Sequence, residues 1–275
     1  MLKAPVSDSL LHRIVLGIEY DGSLFHGWQK QSSPQLATVQ SDVESALSRI
    51  ADHPIKLTCA GRTDAGVHAT GQVVHFDCAK DRGQKAWIRG SNSLLPSGIR
   101  ILWARETDSG FHARFSALAR RYRYIIYESE VEPALFTRQL THFRGRLQDQ
   151  LMDQAGRYLI GEHDFSAYRA AGCQSKTPFR EILELSVRRK NDFVIIEIQA
   201  NAFLQHMVRN IAGVLMLIGR GVKEVDWAHQ VLLSEDRTKG AITARPEGLY
   251  LIDVRYPDKF ALPRLNFGPM FINLD

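Results

Sequence analysis

The feature that most constrains this chain is an order of secondary-structure signals that occurs twice. A run rich in β-branched and aromatic residues, His12 to Tyr20, stops at Asp21-Gly22, as a strand entering a turn does. From Thr38, the apolar residues Val39, Val43, Ala46, Leu47 and Ile50 recur at helical spacing, with Thr38 placed to cap them. Strands are then predicted at Ile55 to Ala60 and Gln72 to Phe76, a helix at Lys85 to Leu95 closed by Pro96 and Gly98, and a strand at Ile99 to Ala104. The second half repeats the series. It has strand Leu118 to Tyr127, helix Leu147 to Ile160, strands Ile182 to Arg188 and Phe193 to Gln199, helix Leu204 to Ile218 and strand Leu249 to Arg255. An extra helix around Val225 to Leu233 interrupts this second copy.

Strand, helix, strand, strand, helix, strand is the split βαβ order of ferredoxin-like and RNA-recognition folds. The fold class that follows is α+β, with two ferredoxin-like/RRM-like (βαββαβ) halves whose mainly antiparallel sheets pack around a central cleft, the natural place for an active site. The expected divisions are an N-terminal tail at 1–11, an N-terminal half at 12–108, a C-terminal half at 109–260 and a tail at 261–275. No low-complexity linker separates the halves, so two closely packed sheets are expected. A hydrophobic content of 44% over 275 residues supplies a substantial core and argues against intrinsic disorder.

Charge points the same way, weakly. With 35 Lys and Arg against 30 Asp and Glu the net charge is +5, which favours anionic partners and equally suits an ordinary basic protein. Cys59, Cys78 and Cys173 are odd in number and widely spaced, which fits a reducing compartment and gives no zinc knuckle. Met1 to Leu11 mixes Lys3, Pro5, Ser7 and Asp8 with apolar residues, unlike a signal-peptide core, and no later run reaches membrane-spanning length. A cytoplasmic protein with no membrane partner is the expectation.

The segment richest in chemistry is Cys59-Ala60-Gly61-Arg62-Thr63-Asp64-Ala65-Gly66-Val67-His68-Ala69, an apolar strand running into a loop bracketed by glycines. Such a loop can hold one side chain out into a cleft, although Asp64 could instead close an Asx-turn on its own backbone, and Arg62 could be a solvated charge. A second segment bears on the choice. The helix Leu204 to Ile218 is apolar almost all round, and His206, Arg209, Asn210 and Gly213 fall on one narrow stripe. A mostly buried helix pairs an arginine or lets it snorkel to water, and Asp64 is the candidate carboxylate opposite Arg209.

In Ala119-Arg120-Arg121-Tyr122-Arg123-Tyr124-Ile125-Ile126-Tyr127 the strand period puts Tyr122 and Tyr124 on one face and Arg121 and Arg123 on the other. Upstream, Phe111-His112-Ala113-Arg114-Phe115 repeats the alternation of ring and charge. Aromatic faces beside guanidinium groups hold unstacked bases, whereas strand tyrosines also serve as plain core. Three activities compete on these residues. A nucleoside or sugar hydrolase would want a second carboxylate, and none is evident in the loop. A metal-dependent nuclease would have to use Glu162-His163-Asp164, which reads as a surface turn. A non-catalytic RNA-binding module of RRM-like fold would survive loss of Asp64.

Taken in order, the loop Gly61 to Ala69, the strand Arg121-Tyr122-Arg123-Tyr124, the segment Phe203 to Gly213 and the ending Glu247-Gly248-Leu249-Tyr250-Leu251 resemble the tRNA pseudouridine synthase A family, over nearly the whole chain. The resemblance implies isomerisation of uridine to pseudouridine at positions 38, 39 and 40 of the tRNA anticodon stem-loop, by a homodimer with no cofactor and no metal. It implies that Asp64 is the catalytic carboxylate, with three routes open to it: attack on the sugar, attack on the base, or removal of a sugar proton. Arg209 is implied to pair with Asp64 and keep it ionised. Tyr122 is implied to stack on the target base and accept the C5 proton, Leu249 to wall the pocket, and Arg62 to help extrude the base. Phe111, His112, Ala113, Arg114 and Phe115, with Gly172, Cys173, Gln174, Ser175 and Lys176, match segments that contact tRNA in the family.

Overall fold

The structure is a computed structural model and describes residues 11–31, 36–264 and 268–272. The expected tail at 1–11, with the reading of its targeting signal, lies outside the described residues but for Leu11. The tail expected at 261–275 lies outside them at 265–267 and 273–275.

The first half runs β1 (His12–Tyr20), α1 (Val39–Ala51), β2 (Thr58–Cys59), β3 (His68–Cys78), a π-helical turn (Ala86–Gly90) and β4 (Ile99–Thr107). The second runs β5 (Ala119–Glu128), β6 (Thr141–Phe143), α2 (Asp149–Arg157), β7 (Gly161–Asp164), β8 (Phe179–Lys190), β9 (Phe193–Ala200), α3 (Met207–Gly219), α4 (Trp227–Ser234) and β10 (Leu249–Arg255). Thr38 caps α1 as expected, and Ser41 returns the bond in a capping box.

The α+β class and the mainly antiparallel pairing hold. The expectation of two separate sheets does not, because the strands join edge to edge in the order β4-β1-β3-β10-β5-β9-β8-β7, with β2 on β3 and β6 on β5. Each half keeps its own split-βαβ order, and the joint is a short parallel pair, Tyr250 with His68 and Leu251 with Ala69. The physical reason is a divided edge. β2 covers β3 only at Thr58 and Cys59, opposite His75 and Val74, which leaves the start of β3 free to take β10.

His68 locks that joint. Buried at 2% exposure, it stacks on Tyr250 at 4.7 Å, its Nδ1 accepts from Gly22 N at 3.1 Å, and its Nε2 donates to the carbonyls of Arg138 and Glu247 at 2.9 and 3.0 Å. One core then runs under both halves. Val43 and Leu47 of α1, Leu16 of β1, Tyr122 and Tyr124 of β5 and Ile211 and Leu215 of α3 belong to a single buried cluster. Ile125, Ile195, Tyr250 and Ile252 form a smaller cluster with Leu140 and Ile272, as the two-residue strand period requires for residues of opposite parity in β5 and β9.

The helix expected at Lys85 to Leu95 forms, helical over 84–92 with a π-helical centre at Ala86–Gly90, where Gly90 brings the chain against Ile50 of α1. One other expectation is corrected. Glu162-His163-Asp164 lies in the strand β7, paired antiparallel with β8, and is no surface turn.

Candidate active site

The loop between β2 and β3 lies where the edge of β3 changes partner, and its backbone is tied down residue by residue. The Ala60 carbonyl accepts from Arg120, the Gly61 carbonyl from Gln72 Nε2 at 2.7 Å, and the Thr63 carbonyl from Trp28 N at 3.1 Å. Thr63 Oγ1 bonds Tyr20 Oη at 2.8 Å. Val67 N donates to the Asp64 carbonyl at 3.1 Å, closing a turn whose third residue, Gly66, has a φ of 79° and packs on Pro246. With its main chain held, the loop turns Arg62 outward to solvent and leaves the Asp64 side chain 30% exposed.

The carboxylate does not fold back on its own backbone. Asp64 Oδ2 accepts from Arg209 Nη1 at 3.2 Å and lies 3.4 Å from His206 Nε2. Arg209 is 14% exposed and is steered by its other end, where Nε donates to the Ala244 carbonyl at 2.8 Å. His206 precedes α3 in the left-handed region, φ 62° and ψ 3°, a conformation that costs a non-glycine roughly 1 kcal/mol. The turn that orients its ring toward Asp64 therefore carries some strain. The remaining members of the stripe are structural. Asn210 Nδ2 donates to the Tyr168 carbonyl at 2.8 Å, and a side chain at Gly213 would strike the Ile242 carbonyl.

Tyr122 is 8% exposed on the same side of the sheet, with Phe203 edge-on at 5.0 Å. Burial first, and the nearby Asp64 second, hold its phenol well above the usual tyrosine range. Tyr124, expected as its companion, is fully buried and bonds Thr141 Oγ1 and the Arg245 carbonyl, so it is core. Leu249 is 5% exposed, pairs with Tyr124 across β10 and β5, and belongs to the same cluster as Tyr122.

The two expected RNA segments fare differently. Phe111 and Ala113 are fully buried and alternate inward, Phe111 against Tyr256 and Phe260, so the Phe111 ring offers no face for stacking on a base. Arg114 and Phe115 are exposed, with Phe115 stacked on His112 at 4.3 Å and the Arg114 guanidinium 5.6 Å from its ring. Gly172, Gln174 and Lys176 are exposed, and Cys173 and Ser175 are partly covered. Arg169 bonds the carbonyls of Cys173 and Ser175, and Gln205 N donates to Cys173 Sγ, so this loop sits against the turn that carries His206.

Sequence reasoning placed Asp64 opposite Arg209 and saw His206 on the same stripe without giving it a contact. It missed Arg120, Gln72 and Tyr20, which brace the loop. The signal for Arg120 was available: strand parity puts it on the buried Tyr122 face. Among the described residues, no group of three or more His, Cys, Asp or Glu side chains is placed to hold a metal ion, and no helix is long and apolar enough to cross a membrane.

A partly exposed carboxylate between an arginine and a histidine, on a preorganised loop where two split-βαβ halves join, defines an enzyme site built on an α+β scaffold. The sequence profile of the tRNA pseudouridine synthase family matches residues 17–116 and 155–257, and the chain belongs to that family. It is 54% identical over 260 residues to the tRNA pseudouridine synthase A of Coxiella burnetii (strain Dugway 5J108-111), covering 94% of this chain and 99% of that one. It is 52% identical to that of Pseudoalteromonas atlantica and 51% identical to that of Aeromonas hydrophila, each over 94% of this chain. The activity of the family is the isomerisation of uridine to pseudouridine in tRNA.

Proposed function

We propose that the chain isomerises uridines 38, 39 and 40 of the tRNA anticodon stem-loop with Asp64 as the reacting carboxylate. The single observation that carries this reading is the Asp64 carboxylate itself, reachable from solvent yet paired with Arg209 at 3.2 Å on a loop whose backbone is held on all sides. Isomerisation breaks the N1–C1′ bond and makes a C5–C1′ bond. One carboxylate at the sugar suffices, provided that water is kept from the separated base. Arg209 restrains the direction of the Asp64 carboxylate through their ion pair.

The division of labour follows the two halves. Residues 12–108 supply Asp64 and Arg62, whereas residues 109–260 supply Arg209, Tyr122 and Leu249. Tyr122 stacks on the flipped base and takes the C5 proton, Leu249 backs the apolar wall, and the exposed Arg62 fills the place the base leaves in the stem. His112, Arg114, Phe115 and the loop Gly172 to Lys176 supply phosphate and stacking contacts on either side of that place. The family resemblance also supports a homodimer acting in the cytoplasm without a metal or cofactor.

The test is release of tritium from C5-labelled uridine in unmodified tRNA, run in chelator, with the product mapped by carbodiimide-blocked primer extension and the particle mass measured by light scattering. The expected result is release by wild type, stops at 38, 39 and 40, a dimer mass, and no release by Asp64→Asn. Release that stops in the chelator, or product confined to another tRNA arm, sinks the corresponding part of the reading.

A further inference from the structure

Arg120 stands on the face of β5 that carries Tyr122 and Tyr124 and is 9% exposed. All five of its N–H groups go to backbone carbonyls. Nε and Nη2 reach Ala60 at 3.4 and 3.0 Å, Nη2 also reaches Arg114 at 2.6 Å, and Nη1 reaches Asn201 at 2.8 Å and Ala117 at 3.3 Å. Tyr256, Tyr122, Arg114 and Cys59 act on its charge, and among the described residues no carboxylate forms an ion pair with it. A cation buried without a counter-ion is expensive, and an apolar residue of similar volume would fill the position at lower cost.

What the guanidinium ties together explains its retention. Ala60 opens the loop that carries Asp64, Arg114 belongs to the exposed stacking segment, and Asn201 opens the turn that carries Phe203 and His206. A planar fork can hold three such segments in one plane, and a lysine ammonium cannot. Its charge is also two residues from Tyr122 on the same face of the strand.

We propose that Arg120 is a positioning residue for the isomerisation, a buried guanidinium that fixes the three segments around the reacting uridine and whose charge favours the phenolate of Tyr122 that then receives the C5 proton. The proposal rests on the reading of Tyr122 given above. In that step the C5–H bond breaks, its electron pair restores the C5–C6 double bond, and the proton passes to the Tyr122 oxygen. The phenolate that receives it forms by loss of the phenolic proton to water, and N1 takes up one proton from water, so the isomerisation is proton-neutral. Tyr122 faces Asp64 from the loop, Cys59 from β2, Tyr20 from β1 and Arg120 from its own strand, while Arg209 and His206 reach Asp64. Of these, Asp64 and Cys59 oppose the phenolate and Arg120 favours it.

The experiment is single-turnover tritium release across the neutral and alkaline range for wild type, Arg120→Lys and Arg120→Met, with tRNA affinity and thermal unfolding measured on each protein. Arg120→Met is expected to bind tRNA within about twofold of wild type, to release tritium at least ~10-fold more slowly, and to need a higher pH for its rise in rate. Arg120→Lys, which keeps the charge, is expected to hold the pH position of wild type and recover part of the rate. A wild-type rate in Arg120→Met overturns the proposal, as does equal slowing of both variants with an unmoved pH profile, which would make Arg120 a structural strut. If Arg120→Met does not fold, Arg120→Lys decides by whether its profile coincides with wild type or moves upward. A wild-type protein that binds tRNA and releases no tritium would instead overturn the proposed activity, a result distinct from all of these.

Discussion

Arg209 holds Asp64 by one end and Ala244 by the other, donating Nη1 to the carboxylate at 3.2 Å and Nε to the carbonyl at 2.8 Å. A guanidinium anchored in this way points its fork at the carboxylate before substrate arrives, so the ion pair costs little further ordering during reaction. Asp64→Asn keeps the size of the side chain and removes its charge. The expected outcome is tRNA affinity within about threefold of wild type, or ~0.6 kcal/mol, with tritium release below detection. Release by that variant at the wild-type rate would move the reacting carboxylate elsewhere.

Arg209→Met separates positioning from chemistry. It leaves Asp64 with His206 alone at 3.4 Å and removes a charge-assisted bond from a partly covered site. The release rate is expected to fall by roughly 100-fold, with most of the loss in kcat, since the arginine acts through Asp64. A loss confined to KM for tRNA would show that Arg209 serves RNA binding instead.

Tyr122→Phe divides the two roles proposed for that ring. Stacking needs the ring, which stays, and proton transfer needs the oxygen, which goes. Because burial and Asp64 hold the wild-type phenol above the usual range, the variant leaves binding and folding nearly unchanged. The expected outcome is normal tRNA affinity with stalled product formation, followed by quenched-flow and product mapping. Normal turnover would remove Tyr122 from proton transfer.

Much of this was legible in the sequence because periodicity reports burial. The strands β1 and β10 fall at the residues the pattern marks, and the stripe on α3 led from Arg209 to Asp64 because a buried cation needs a partner. What was not legible depends on contacts distant along the chain. Two separate sheets were expected because nothing local in His68-Ala69 announces that Tyr250-Leu251 will pair with it. Phe111 and Phe115 look alike in sequence, yet one is fully buried against Tyr256 and the other is 76% exposed. His75 and Ala113 settle the difference, since the Ala113 N–H donates to the His75 ring and turns the segment inward.

That bond has a pH dependence. His75 is 6% exposed, its Nδ1 accepts from Ala113 N at 3.1 Å, and burial first, then Arg13 and His112, bring its pKa down to about 4. In the unfolded chain the ring titrates near its usual value of about 6.5. Between those values the unfolded chain holds a proton that the folded chain excludes, so stability falls as pH drops through this window and is fully present above it. The loss is at most about 3 kcal/mol, reached only below the folded-state value and reduced by any solvent screening. His75→Asn keeps an acceptor and cannot titrate. Urea midpoints compared at neutral and mildly acidic pH are expected to fall more for wild type than for this variant, and equal falls would place the acid sensitivity elsewhere.

Arg114 and Phe115 share one exposed corner and are expected to bind RNA by different forces. Arg114 is a solvated cation 5.6 Å from the Phe115 ring, and that ring stacks on His112, which leaves its outer face open. If Arg114 neutralises one phosphate, Arg114→Ala flattens the log-log salt dependence of tRNA binding by about 0.7 to 0.9 and weakens binding most at low salt. If Phe115 holds a base by stacking, Phe115→Ala costs about 1 to 3 kcal/mol at every salt concentration and leaves the slope unchanged. Filter binding over a salt series reads both quantities from one set of curves. Parallel curves for Arg114→Ala would take its charge off the phosphate backbone, and a changed slope for Phe115→Ala would mean that the ring works by placing Arg114 rather than by stacking on RNA.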